Sequence, residues 1–319
     1  MPDLSALADL DPAHFVAMAV SLGVALVALV GRRGEAKVVV PAAFAIAAAL
    51  AVALQPGIGV QIWPDKETGW LVWIALAGGA AGVLASARFV PTAVVWVAYV
   101  AVAAFVARIA MDLPLRDGGW HYLTARFAEL PGTDDGWGGF ARVFWVSLVG
   151  AIVWGHLVLA DRLMARHDGP GPGWTLGLLV VPVPIFTAHA AMSLSVSFAA
   201  QAVGVVVLAW VVLSRVHRGA KHGALGARGA AAPLLVTLTS IVLVSSFAGQ
   251  LPWEAAVLLL VAPCGALVTE LPKVRTLGHW PRAIIGLGVV AALSLAAGAV
   301  VGAPDSGGGA SDESSIYGL

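Results

Sequence analysis

The sequence contains no asparagine and a single cysteine, Cys264, among its 319 residues. Without asparagine the chain offers no N-glycosylation acceptor, and a lone cysteine excludes both an intramolecular disulfide and a CxxC-type metal site. Charged residues make up only 11% of the chain, whereas soluble domains carry roughly 25%. These absences argue against a soluble or disulfide-stabilised protein and against a CxxC-type metal site.

The chain is instead rich in apolar residues and electrically balanced. Hydrophobic residues account for 60% of it, the formal net charge is zero, and the mean hydropathy is +0.91. A helix needs about 20 apolar residues to cross a bilayer, so we expect most of the chain to lie in lipid. A net charge of zero provides no basic surface for nucleic acid. We therefore predict a lipid-bilayer partner and no nucleic-acid partner.

Ten apolar segments predict an all-α, polytopic integral membrane helix bundle. They cover residues 12–30, 38–54, 70–87, 91–110, 140–160, 174–191, 194–213, 232–249, 255–270 and 283–302. Together they form a single predicted transmembrane domain over residues 1–302, followed by a polar tail, 303–319, whose composition is typical of disorder. The longest connection, residues 111–139, has a helical repeat of apolar residues and is predicted to hold a short amphipathic helix at the membrane interface.

The basic residues of the connections predict the orientation. With ten crossings, 13 of the 18 basic residues fall on one side, and the positive-inside rule makes that side cytoplasmic. Both termini are then non-cytoplasmic, in a bacterial cytoplasmic (inner) membrane. Segment 174–191 contains Pro182 and Pro184, which leaves a re-entrant loop as an alternative to a full crossing.

Small residues on the third segment predict close helix packing. Gly78, Gly82 and Ser86 recur at intervals of four residues, which places them on one helix face. Such a face lets two helix backbones approach closely, either within this bundle or against another membrane subunit or a second copy of the chain.

Polar residues of the later segments predict a candidate substrate-binding cavity open to the outer side. Polar side chains in lipid cost free energy and therefore mark possible sites. The set comprises Thr187, His189, Ser193, Ser197, Gln201, Thr237, Ser240, Gln250 and Glu254. Prolines that interrupt the helices, Pro263 among them, are a feature of solute-binding helices in transporters. The alternative interpretation is ordinary hydrogen bonding by Ser and Thr between packed helices.

No catalytic residue, metal ligand or cofactor is predicted. The sequence has no GxxxxGK[ST], HExxH or GxSxG motif. A bis-histidine haem site of His156 and His189 is disfavoured, because the two residues fall near opposite faces of the membrane. We expect a multi-pass membrane protein that is a small-solute permease or channel-like protein. A structural or assembly subunit of a larger membrane complex is the alternative, and a membrane-embedded enzyme acting on a lipid-linked substrate is a second one.

Overall fold

The described part of the chain is almost entirely helical. The computed structural model describes residues 36–54, 64, 67–87, 89–110, 138–165, 183, 199–201, 203–207, 229–247 and 251–302. Within these ranges every regular element is a helix and there is no strand. The predicted all-α class is therefore confirmed for the described residues.

Eight α-helices, one of them a single turn, and one 3₁₀ segment make up the larger elements among these residues. They are α1 (Ala36–Ala53), α2 (Glu67–Ser86), α3 (Thr92–Ala110), α4 (Gly138–Ala165), α5 (Ala232–Phe247), α6 (Trp253–Val261), the 3₁₀ segment (Ala262–Glu270), the single turn α7 (Pro272–Arg275) and α8 (His279–Gly302). These elements coincide with seven of the ten predicted segments. Segment 12–30, nearly all of 174–191, the interfacial helix of 111–139 and the tail 303–319 lie outside the described residues.

Five helical stretches are long and apolar enough to cross a membrane. They are Thr68–Ser86, Thr92–Ala110, Val143–Arg162, Trp253–Glu270 and Pro281–Val301. The apolar helices Val40–Ala53 and Ala232–Phe247 are shorter. Large apolar side chains on the outside of these helices are exposed, among them Val97 at 68% and Ile284 at 64%. A surface of this kind suits lipid as the surrounding solvent, and the length and apolar composition of the five stretches indicate a membrane protein.

Contacts between the helices give their relative directions. Trp70, near the start of α2, packs edge-on against Phe105, near the end of α3, with ring centroids 6.0 Å apart. Trp96 of α3 packs in the same way on Trp154 of α4 at 5.6 Å. Each pair joins the early part of one helix to the late part of the next, so α2, α3 and α4 are successively antiparallel.

Helices α4 and α6 run in the same direction. The rings of Trp145 and Trp253, near the start of each helix, lie 6.1 Å apart. Further along the two helices, the His156 Nε2 atom lies 2.8 Å from the Leu260 carbonyl oxygen. At the far end, Arg282 of α8 pairs with Glu270 of the 3₁₀ segment at 2.8 Å, which makes α8 antiparallel to α6.

Glycines let α1, α2 and α5 approach to backbone contact. A methyl group added at Gly78 would lie 3.0 Å from the Pro233 Cα atom, and one added at Gly82 would overlap the Gly229 carbonyl oxygen. Gly229 itself has a φ of +86°, a left-handed conformation that glycine adopts without steric cost. The predicted packing residues Gly78 and Gly82 thus lie on the α2 face that meets the start of α5, and Ser86, further along α2, is buried.

Helix α5 is the centre of the described bundle. Every residue from Ala232 to Ser245 is buried, and α5 packs on α1, α2, α3, α4 and α6. A helix that is apolar or self-satisfied on all sides can occupy such a position. All five neighbours therefore depend on its close fit.

We predict that Gly82→Ala lowers the free energy of unfolding in detergent by about 1–3 kcal/mol, the usual cost of overpacking. The added methyl group must displace the backbone at Gly229. The matched control is Gly288→Ala in α8, where an added Cβ meets nothing within 4 Å. Thermal unfolding of both variants measures the difference, and an equal midpoint for the two would contradict the packing argument.

Candidate functional site

Most hydroxyl groups of the central helix are satisfied within that helix. Thr237 donates to the Pro233 carbonyl at 2.6 Å, Ser240 to that of Val236 at 2.7 Å, and Ser245 to that of Ile241 at 2.5 Å. Each bond returns to the carbonyl four residues earlier, the common way for Ser and Thr to satisfy a hydroxyl inside a helix. These three hydroxyl protons are therefore not directed to a solute or to another helix.

Thr239 of α5 behaves differently because its hydroxyl reaches another helix. Its Oγ1 lies 3.0 Å from the Nδ1 atom of His156 in α4, and both side chains are 4% exposed. The second ring nitrogen of His156 meets α6 at the Leu260 carbonyl. One imidazole therefore bridges three helices.

The Leu260 carbonyl needs this bridge because the helix changes type immediately after it. The last described α-type bond at this point runs from the Ala262 N–H to the Leu258 carbonyl, and the 3₁₀ segment begins at Ala262. A 3₁₀ helix pairs each N–H with the carbonyl three residues earlier. For Leu260 that partner is Pro263, which has no N–H. The 3₁₀ pattern therefore gives this carbonyl no N–H partner, and His156 bonds to it from α4.

The Leu260 carbonyl assigns a proton to one of the two ring nitrogens. A carbonyl oxygen can only accept, so the Nε2 atom of His156 carries the proton and donates it to Leu260. The Nδ1 atom bonds with the Thr239 hydroxyl, which can donate to a neutral ring or accept from a protonated one. All the hydrogen-bonding groups of this cluster are satisfied, which a buried polar cluster requires.

A small cavity adjoins the cluster. It has a volume of about 10 Å³, which is close to the space of one water molecule. His156, Thr239 and Pro263 line it together with leucine and valine side chains, including Val183. The site is thus a mainly apolar pocket with one imidazole, one hydroxyl and one interrupted helix at its wall.

The chemistry available here is hydrogen bonding to a small, uncharged group. Among the described residues, no three His, Cys, Asp or Glu side chains gather to hold a metal ion. Cys264 follows Pro263 directly but is exposed. The imidazole and the hydroxyl can each donate or accept, so a small polar molecule that displaced one of their bonds would find a matching partner.

Four of the residues predicted to form the outer cavity lie in the described part of the chain. Thr237 and Ser240 are fully buried in α5, whereas Gln201 and Glu254 are exposed and make interactions of their own. Thr187, His189, Ser193, Ser197 and Gln250 lie outside the described residues. The wider cavity therefore stays a prediction.

Sequence reasoning treated His156 only as a haem ligand to be excluded and missed its role in the bundle. Two signals were available in the sequence. A histidine inside an apolar segment has to find a partner in the bundle, and Pro263 removes a donor from the middle of another segment. Only the packing of α4 against α6 shows that the histidine side chain bonds to the backbone carbonyl beside the proline.

Compared with models of known protein families and with characterised proteins, the chain shows no match. Its function has to be argued from the described residues.

We predict that His156→Leu lowers the free energy of unfolding by about 1–3 kcal/mol, because the buried Leu260 carbonyl loses its donor. Thr239 can turn its hydroxyl back to its own helix, as Thr237 does, so the carbonyl carries most of the cost. In a Pro263→Ala background, residue 263 regains an N–H, and the same substitution should cost less. Unfolding in detergent of the four chains in this double-mutant cycle measures the difference. An identical cost in both backgrounds would show that the proline and the histidine are independent.

Proposed function

We propose that this chain is a ten-span protein of the bacterial cytoplasmic membrane that acts as a small-solute permease or channel-like protein. One observation carries the proposal. The apolar stretch of α6 and the 3₁₀ segment is interrupted near Pro263, and the buried His156 side chain bonds to the Leu260 carbonyl at this interruption. Interrupted helices near the middle of the membrane are a common solute-binding element in transporters, because their free backbone groups can contact the solute.

The nature of the groups at the interruption favours an uncharged solute. The contacts of the site are one imidazole, one hydroxyl and one carbonyl, and the rest of the wall is apolar. An ion would lose its hydration here without gaining an opposite charge, which is costly in a low-dielectric interior. The cavity admits about one water molecule in this conformation, so passage requires α4 and α6 to move apart.

The helix directions support the ten-span topology. Helices α4 and α6 are parallel, and α5 is antiparallel to α2, because Gly78 faces Pro233 and Gly82 faces Gly229. In this arrangement α4 ends on the side of the membrane where α5 begins. An even number of crossings between α4 and α5 fits this arrangement, and the two proposed full crossings at 174–191 and 194–213 would supply it. One re-entrant loop plus one crossing would be odd.

The described charges and aromatic residues support the orientation. The α4 span ends at Arg162, on the same side of the bundle as the end of the 3₁₀ segment and the start of α8. Three more basic residues lie on that side: Lys273, Arg275 and Arg282. Tryptophans mark the opposite side, where Trp145 meets Trp253. Basic residues concentrate on the cytoplasmic side of membrane proteins, so we assign the basic end to the cytoplasm.

We expect a reporter that is active only outside the cytoplasm to work when fused after Leu319, since ten crossings with this orientation leave both termini non-cytoplasmic. The same reporter fused after Leu277, in the connection before α8, should be inactive. A cytoplasmic reporter should show the reverse pattern at the two sites. Cytoplasmic activity after Leu319 would contradict the proposed topology, through either an odd number of crossings or the reverse orientation.

Solute flux tests the permease function directly. The protein reconstituted into liposomes should accelerate light-scattering recovery after osmotic shock with at least one small neutral solute from a panel of urea, glycerol and acetamide. We expect Pro263→Ala to reduce that flux, because a continuous helix withdraws the Leu260 carbonyl from the site. Gly288→Ala, in open space on α8, is the matched control and should keep the flux of the parent chain.

A structural or assembly subunit remains the second candidate, and one observation favours it. Thr237, Ser240 and Ser245 are satisfied within α5, so the centre of the described bundle is closed. Flux equal to that of protein-free liposomes, together with co-purification of a stoichiometric membrane partner or a second copy of this chain, would favour the subunit. A membrane-embedded enzyme acting on a lipid-linked substrate would need a cluster of acid, base or metal ligands, and the described residues form no metal-binding cluster.

A further inference from the structure

The connection between the 3₁₀ segment and α8 lies at the membrane boundary by its position in the chain. One candidate span ends at Glu270 and the next begins at Pro281. Arg282 Nη2 donates to Glu270 Oε1 at 2.8 Å, with both side chains mostly buried. This bond holds the ends of the two helices level with each other, so residues 271–278, here called the basic turn, have to lie in the interfacial layer.

The basic turn is an ordered structure. Its backbone bonds run from the Arg275 N–H to the Leu271 carbonyl at 2.8 Å and from the Leu277 N–H to the Val274 carbonyl at 3.0 Å. The Thr276 hydroxyl adds a bond to the Lys273 carbonyl at 2.9 Å. A segment whose backbone is already paired loses little conformational freedom when it binds a ligand.

Apolar and basic side chains are exposed together on this turn. Leu271 is 52% and Leu277 is 42% exposed, and they bracket the exposed Lys273 and Arg275 in the sequence. Exposed leucines at a membrane boundary gain free energy by entering the acyl-chain region. Long basic side chains beside them place their charged ends at the level of the headgroups.

The positive charge of the turn is not compensated within the described part of the chain. The one carboxylate next to it, Glu270, accepts from Arg282, and the Nε atom of Arg282 is buried without an acceptor. Lys273 and Arg275 form no ion pair with any described residue. Two cations are therefore available to an external anion.

We propose that the basic turn binds the phosphate of an anionic phospholipid, with Lys273 and Arg275 contacting the headgroup and Leu271 and Leu277 contacting its acyl chains. The phosphate could come from a lipid or from solution. The exposed leucines favour the lipid, because a free phosphate would leave them in contact with water. Each basic residue near an anionic membrane surface contributes about 1 kcal/mol, which is about fivefold in affinity.

A fluorophore placed inside the turn can report which lipid is beside it. Gly278 is a suitable position, since an added Cβ would meet only the Pro281 Cδ atom at an ordinary distance of 3.9 Å. The full chain would carry Gly278→Cys with Cys264→Ser, labelled with a fluorophore and reconstituted into phosphatidylcholine vesicles. The probes are phosphatidylglycerol and phosphatidylcholine that bear a nitroxide on carbon 5 of one acyl chain, compared at equal mole fractions.

The nitroxide phosphatidylglycerol should quench the label more strongly than the phosphatidylcholine probe. Lys273→Gln with Arg275→Gln should lower this preference by about fivefold for each charge removed, while quenching by phosphatidylcholine stays unchanged. The matched control is Lys273→Arg with Arg275→Lys, which keeps both charges and should keep most of the preference.

Three results would overturn the proposal. Equal quenching by the two lipids in the parent chain would show no selection of an anionic headgroup. A preference that persists in the double glutamine variant would assign the selection to other residues. Loss of the preference on addition of inorganic phosphate at constant ionic strength would assign the turn to free phosphate instead of lipid.

Discussion

A backbone carbonyl inside a membrane must find a donor within the protein, because hydrocarbon offers none. The Leu260 carbonyl shows how far this constraint reaches in the described bundle. Pro263 has no N–H for the 3₁₀-type bond to this carbonyl, and a side chain from a distant part of the sequence bonds to it instead. The replacement fixes the depth of α4 against α6, and the Thr239 hydroxyl ties the same imidazole to the central helix. Three helices are thereby held in register by one ring.

The same constraint explains why the centre of the bundle tolerates so many hydroxyl groups. A Ser or Thr that returns its proton to its own helix presents little more than a methyl-sized surface to its neighbours, as Thr237 and Ser240 do. Close backbone approach is then possible at the first turn of α5, where the glycines of α2 meet it. Polar composition and tight packing are compatible here because the polarity is satisfied locally.

Apolar length and composition were sufficient to predict the seven long helical segments that the structure describes, but not the 3₁₀ geometry of Ala262–Glu270 or the single turn α7. The predicted segment 255–270 coincides with α6 and the 3₁₀ segment, and 91–110 with α3. The periodicity of Gly78 and Gly82 likewise identified a single helix face. The bridge at His156 could not be predicted, because Thr239 and Leu260 lie 83 and 104 residues away in the sequence. The local sequence pattern indicates which groups need a hydrogen-bond partner. Only the packing of the helices shows which partner each group has.

The burial of α5 affects how the protein responds to the thickness of the bilayer. At 16 residues the helix is about 24 Å long, shorter than the hydrocarbon core of about 30 Å. A lipid-facing helix of that length would force the membrane to thin around it. Because α5 is enclosed by other helices, it is insulated from hydrophobic mismatch. A change in bilayer thickness would therefore tilt the peripheral helices α3 and α8. Helix α5 would not respond directly, because it has little contact with the lipids.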